Sequence, residues 1–154
     1  MILQYPHALL SKISSPIEDK LMLGMLLPAF KQSVDKHGKQ ALGLAASQIG
    51  LAYQMVWLKG FGYLINPKII EHSETKIGVV ESCLSVPGKF YTVERYKTVK
   101  ILYRDEQFKL RRHLFTDTLS IVCQHELCHV LDGLCLPQYG VEINTIEDEE
   151  ANEQ

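Results

Sequence analysis

The stretch "VCQHELCHVLDG", Val122 to Gly133, decides how this chain is read. Within it, His125-Glu126-Leu127-Cys128-His129 sets two imidazoles four positions apart. On an α-helix that spacing puts both rings on one face, a turn apart, where each can offer a nitrogen to one metal ion at roughly 2.1 Å. Glu126, adjacent to the first histidine, is placed to take a proton from an attacking water, as such glutamates do in metallohydrolases. A surface helix with two incidental histidines is the bland alternative. The flanks Ile121, Val122, Leu127, Val130 and Leu131 argue against it, because they make the helix a buried one. There two histidines and a glutamate are costly without partners.

That helix is expected from about Asp117 to Asp132, with Thr116 or Asp117 as N-cap and Gly133 just past its end. An earlier one is expected in "SSPIEDKLMLGMLLPAFKQSVDKHG": Ser15 as N-cap, Pro16, Glu18 and Asp19 in the first turn, Gly38 as stop, and Pro28 kinking or splitting it. Between them lie short β-rich runs: Tyr53 to Leu58, Tyr63 to Ile70, Lys76 to Val80, Tyr91 to Val93, Thr98 to Tyr103 and Phe108 to Leu114. Turn signals at Lys59-Gly60, Asn66-Pro67, Pro87-Gly88 and Arg104-Asp105 punctuate them. The order implies an α+β fold: mostly antiparallel short sheets around a central metal-binding helix, with an N-terminal helix.

Size and charge narrow the function classes. The 154 residues, 46% of them hydrophobic, suit a single catalytic domain over residues 1–145, followed by an acidic tail, 146–154. A net charge of −2 gives no reason to expect nucleic acid or an acidic membrane as partner. The most apolar run, Leu21 to Phe30, is too short to span a bilayer, and the first residues lack the marks of a signal peptide. A cytoplasmic location is expected, where Cys83, Cys123, Cys128 and Cys135 are thiols or metal ligands rather than disulfides.

Two histidines leave a catalytic site short of a ligand. A third histidine six residues after the second would mark one peptidase class; here that position holds Cys135. A glutamate from a later helix would mark another, and only Glu142 and the tail follow. Cys128 projects about 100° away from His129 and Cys123 nearly opposite His125, so both read as helix-packing residues. Cys83, in "VVESCLSVPG", remains: a turn-prone cysteine flanked by Glu81 and Ser85, whose thiolate with two imidazoles would leave a fourth position open. A peptidase with Cys135 or a tail glutamate as third ligand, and a closed structural zinc site, stand as alternatives.

Three segments, in order, resemble the motifs of the peptide deformylase family: "GLAASQIG" (Gly43 to Gly50), "ESCLS" (Glu81 to Ser85) and "QHELCH" (Gln124 to His129). The opening "ILQYPHALLSKISSPI" and the region from Thr98 to Leu114 are similar too. The resemblance implies removal of the formyl group from the formylmethionine of newly made chains, with release of formate. It implies Fe(II), replaceable by zinc, nickel or cobalt, held by Cys83, His125 and His129. It makes Glu126 the base, with Gln48 and the backbone N–H of Leu84 as oxyanion donors. Leu42, Gly43, Ser82 and Ile121 are expected to meet the N-formylmethionyl peptide, and the nearly bare backbones of Gly43, Ala45 and Ala46 would let it pair as an added strand. Proximity to the ribosome follows, without direct binding of nucleic acid or membrane. "GLAAS" also reads as close helix–strand packing, and Ile121 as plain core.

Four departures from the family pattern stand out. Ala41 takes the place of a glycine in the first motif, Ser82 of a glycine in the second, and Cys128 of the common aspartate within the third. "HVLDG" carries one residue more than the family's H-L-x-G. The length fits a compact form, such as a phage-encoded one.

Overall fold

The computed structural model describes residues 1–143. The acidic run 146–154, with the end of the expected domain, lies outside the described residues. Eight strands and three helices follow in the order α1 (Lys20–His37), β1 (Gly43–Ala45), β2 (Met55–Leu58), β3 (Gly62–His72), β4 (Lys76–Cys83), β5 (Val86–Tyr96), β6 (Thr98–Arg104), β7 (Leu110–Thr116), α2 (Asp117–Leu127), a short α3 (Leu136–Tyr139) and β8 (Val141–Ile143). They form a five-stranded sheet, β1-β2-β3-β6-β7, and a three-stranded one, β4-β5-β8. Every ladder pair is antiparallel, as the expected α+β class requires.

Side-chain alternation along the strands sorts the core into layers. Leu44, Met55 and Ile65 pack with Leu23, Leu27, Phe30 and Val34 of α1 on one face of the large sheet. Ala45, Val56, Leu64, Val99 and Ile101 pack with Val122, Cys123, Leu127 and Val130 on the other. The metal-motif helix therefore has apolar sheet behind it, and its free side faces β4 and β5. Gln124 clips it there: its side-chain oxygen accepts from the Tyr96 N–H at 2.9 Å and its nitrogen donates to the Tyr96 carbonyl at 2.8 Å.

Several boundaries differ from expectation, each for a local reason. The N-cap of α1 is Asp19, whose carboxylate accepts from the Met22 N–H at 2.8 Å. Ser15 instead bridges to Tyr53, accepting from Gln54 and donating to Ala52 through its backbone. Pro28 leaves α1 unsplit. It and Gly24, whose carbonyl loses its partner, both lie on the exposed face, where water replaces the lost bond. Asn66-Pro67 is a bulge inside β3, with Asn66 at φ +50 and its side chain bonded to both the N–H and the carbonyl of Ile17. Pro87-Gly88 is likewise a bulge inside β5, which starts five residues before the expected Tyr91. β1 and β8 were not anticipated; each spans three residues.

The helix expected to Asp132 does reach that residue, but changes pitch. Its α-helical part ends at Leu127, and Cys128–Asp132 form a π-helical turn closed by Gly133 at φ +62. A π turn takes up one extra residue without unwinding the helix, which accounts for the added residue in "HVLDG". A Cβ at Gly133 would stand 2.8 Å from the Ser11 carbonyl oxygen, so the turn needs glycine twice over.

Candidate metal centre

Cys83, His125 and His129 converge: one ligating atom from each lies within 4.8 Å of the other two, and all three residues are buried. Cys83 ends β4, and a two-residue turn, Leu84-Ser85, leads into β5 through the Cys83–Val86 pair. The turn that presents the cysteine is therefore this tight hairpin, and Pro87-Gly88 follows it inside β5. His125 comes from the last α-helical turn of α2 and His129 from the π turn. Sγ of Cys83 is 3.5 Å from His129 Nε2, so the ε-nitrogen of that ring faces the cluster.

The two rings are held from behind by different chemistry. His125 Nδ1 meets a Glu81 carboxylate oxygen at 2.7 Å. Arg95 donates to the same carboxylate from Nε at 2.7 Å and from Nη2 at 2.9 Å. Burial pushes the Glu81 carboxyl up, but Arg95 and His125 outweigh it and hold it at about 2, so it is an anion. Burial lowers His125, yet the hydrogen bonds its ring donates to Cys83 and Glu81 raise it well above the ordinary imidazole range. A proton there competes with a cation for the same lone pair. Among the described residues, His129 Nδ1 meets only the Cys135 thiol, at 3.7 Å. Burial, with the charges of His125 and Arg95, pushes His129 far down, leaving a neutral ring, the form able to ligate. Cys135 thus sits behind His129 and outside the cluster, and Glu142 pairs with Lys89. Neither joins the cluster as the peptidase alternative needs, and the tail glutamates of that alternative lie outside the described residues.

Glu126 completes the floor. One of its oxygens is 3.7 Å from His125 Nε2. The other is buried and has no hydrogen-bond partner among the described residues. Burial pushes this carboxyl up to about 7, with His125 pulling the other way and Glu81 adding to the rise. Gln48 is fixed through its oxygen, which accepts from the Ala45 N–H at 2.9 Å. That orients its amide nitrogen toward Ser85 Oγ at 3.0 Å and Cys83 Sγ at 3.4 Å.

A cleft of about 640 Å³ opens above the cluster. Gln48, Leu84, Cys83, His125 and Glu126 line it, as do Leu42, Gly43, Ser82 and Ile121. His129 lies beneath, 1% exposed. Gly43 has a double position. A Cβ there would meet Val122 at 2.8 Å and Glu126 at 3.0 Å, so the absent side chain is the place where α2 packs against β1. The packing reading of "GLAAS" therefore holds for Gly43, while its backbone borders the cleft. Cys128 stands apart from the cluster, 3.5 Å from Arg95 Nη1. The sequence reading missed Arg95 and Tyr139, and left Glu81 and Ser85 as mere flanks. The one signal for Glu81 was its place two residues before the cysteine.

A buried Cys-His-His donor set beside a partnerless carboxylate, at the floor of an open cleft, is the arrangement of a mononuclear metallohydrolase. The model of the polypeptide deformylase family matches residues 1–140. Peptide deformylase of Finegoldia magna is 39% identical over 120 residues, covering 75% of this chain and 74% of that one. The Helicobacter acinonychis enzyme is 32% identical over 144 residues, covering 84% and 79%. The crystal structure of the Thermotoga maritima enzyme superimposes with a TM-score of 0.82 at 25% identity, covering 90% of this chain and 95% of its own. The chain belongs to the polypeptide deformylase family, metal-dependent hydrolases that remove the N-formyl group from newly made polypeptides.

Proposed function

We propose that Cys83, His125 and His129 hold the metal for this deformylation, that Glu126 moves the proton, and that Gln48 and the Leu84 N–H receive the oxyanion. The observation carrying this reading is the orphaned oxygen of Glu126. A carboxylate 2% exposed, with one oxygen unpartnered beside the ligating face of His125, is costly unless an attacking water donates to it. The donor set itself suits a borderline metal, with one thiolate and two imidazoles. The ion, when bound, lowers the pKa of the attacking water and polarises the carbonyl.

The chain's own groups do the rest. Glu126 accepts the water's proton as the oxygen attacks the formyl carbon. The carbonyl oxygen gains negative charge near the amide nitrogen of Gln48 and the N–H of Leu84, donors set in advance by Ala45 and by the tight hairpin. When the C–N bond breaks, Glu126 passes its proton to the amine, formate departs, and the carboxylate is restored. Leu42 and Gly43 on one wall and Ser82 on the other flank the formylmethionyl peptide, whose backbone adds to the β1 edge. Ile121 lines the methionine side chain's place.

Fe(II) is the metal we assign, with zinc, nickel or cobalt as substitutes. A thiolate-held Fe(II) centre is sensitive to oxygen and peroxide. No helix among the described residues is long and apolar enough to cross a membrane. We place the enzyme in the cytoplasm, near the ribosome that supplies its substrate.

The test is formate release from a formyl-Met-peptide by protein purified anaerobically with iron. Wild type should turn over. Glu126→Gln should retain its metal and lose turnover by roughly 10²–10⁴-fold, the usual contribution of a proton-transfer group. Turnover persisting in metal-loaded Glu126→Gln would remove Glu126 as the base.

A further inference from the structure

Arg95 is only 5% exposed, so its charge and its N–H groups must be matched inside the protein. Glu81 supplies the charge. Among the described residues the remaining acceptors are two: the Tyr139 hydroxyl, 2.9 Å from Nη2, and the Cys128 sulfur, 3.5 Å from Nη1. A thiol is a weak acceptor, which leaves Tyr139 as the strong uncharged anchor. The Tyr139 ring also lies against the guanidinium, 5.2 Å from centroid to Cζ. Burial pushes the phenol upward, so it remains neutral.

The bonds share atoms. Nη2, which donates to Tyr139, also donates to Glu81 Oε1, and Oε1 is the oxygen that meets His125 Nδ1. Tyr139 is itself well fixed. Leu136 is fully buried, and Gln138 accepts from the Cys135 N–H at 2.7 Å. A Cβ at Gly140 would stand 2.9 Å from Tyr91 Cβ, and β8 then pairs with β5, the strand that carries Arg95.

We infer that Tyr139 is a positioning residue for the metal centre, fixing His125 through Arg95 and Glu81. This rests on the assignment of His125 as a ligand. Without the hydroxyl, Nη2 is held from one side only and the carboxylate can turn with it. Cys128 is the reason the phenol matters: a carboxylate at that position would give Nη1 a charged acceptor and anchor Arg95 independently.

The experiment titrates apo protein with Co(II) and with Zn(II) against a competing chelator, and records the Co(II) visible spectrum. Tyr139→Phe should weaken binding about 10-fold, the lower end for an outer partner of a ligating histidine, and shift the Co(II) bands. Cys128→Asp/Tyr139→Phe should recover to within about twofold of wild type, because the new carboxylate replaces the lost acceptor. In an Arg95→Lys background, where the fork is already absent, Tyr139→Phe should change nothing further. This background also reads the coupling if the single tyrosine variant folds poorly. Wild-type affinity and spectrum in Tyr139→Phe would overturn the inference. So would a double variant as weak as the single one, since the loss would then be packing. His125→Ala separates the underlying assignment: it should abolish tight binding, and retained binding would remove His125 as a ligand altogether.

Discussion

His125 and His129 stand one turn apart, yet they are supported in opposite ways. Behind His125 is charge: an anionic carboxylate at 2.7 Å, itself gripped by a buried arginine. Behind His129 is a neutral thiol at 3.7 Å, on a residue that is completely buried. Burial pushes that thiol up to about 12, so it is a weak partner rather than an anion. The difference follows from the chain. His125 belongs to regular helix facing β4 and β5, while His129 sits in the π turn and meets the segment that folds back after Gly133. The proposed metal centre, built this way, would depend on ordered charge on one side and on close packing on the other.

The comparison can be tested by ranking metal affinities. The largest effect belongs to the shared partner of both rings. Cys83→Ser should lose roughly 10³-fold or more, well beyond the 10–100-fold usual for outer partners, and formate release should disappear with the metal. Full metal content in that variant would break the triad itself.

Next comes Glu81→Gln, which keeps the shape but removes the charge that Arg95 and His125 share. Affinity should fall about 100-fold, and the folded protein should lose stability because Arg95 is left buried and unpaired. Equilibrium dialysis with Zn(II) and a denaturant titration of the apo protein read the two effects separately. Cys135→Ala should cost only about 10-fold, since a weak acceptor is exchanged for none. If Cys135→Ala proves as harmful as Glu81→Gln, the two sides are equally supported and the contrast is wrong.

How far this was legible in sequence follows the same division. The helix face was plain, because a four-residue spacing in an apolar run depends on nothing distant. "ESCLS" pointed to Cys83, but not to the hairpin register that brings Glu81 onto Arg95 and His125. That register depends on the bulge at Pro87-Gly88, which reads locally as a turn. β1 and β8 are short and take their strand character from their neighbours, so three residues of sequence carried no period to detect. The support of His129 was hidden because the π turn decides where Cys135 falls. From the spacing alone, Cys135 was visible only as an alternative third ligand, and its place behind His129 was not.

The smallest expected effect on metal concerns Gly43, which lies on the cleft wall and not behind either ring. A methyl group there meets Val122 and the Glu126 side chain, so Gly43→Ala should lower stability by about 1–3 kcal/mol as α2 and β1 are forced apart. Metal affinity should fall by less than the roughly 10-fold of Cys135→Ala, because α2 shifts beside His125 while the contact touches neither Glu81 nor Cys135. Thermal unfolding of the apo protein and the KM for a formyl-Met-peptide divide the possibilities. Because Glu126 is one of the two side chains displaced, turnover should fall along with stability. Unchanged stability with a raised KM would mean instead that the bare backbone serves the peptide alone. The wall would then be substrate surface, not part of the packing that sets the metal helix in place.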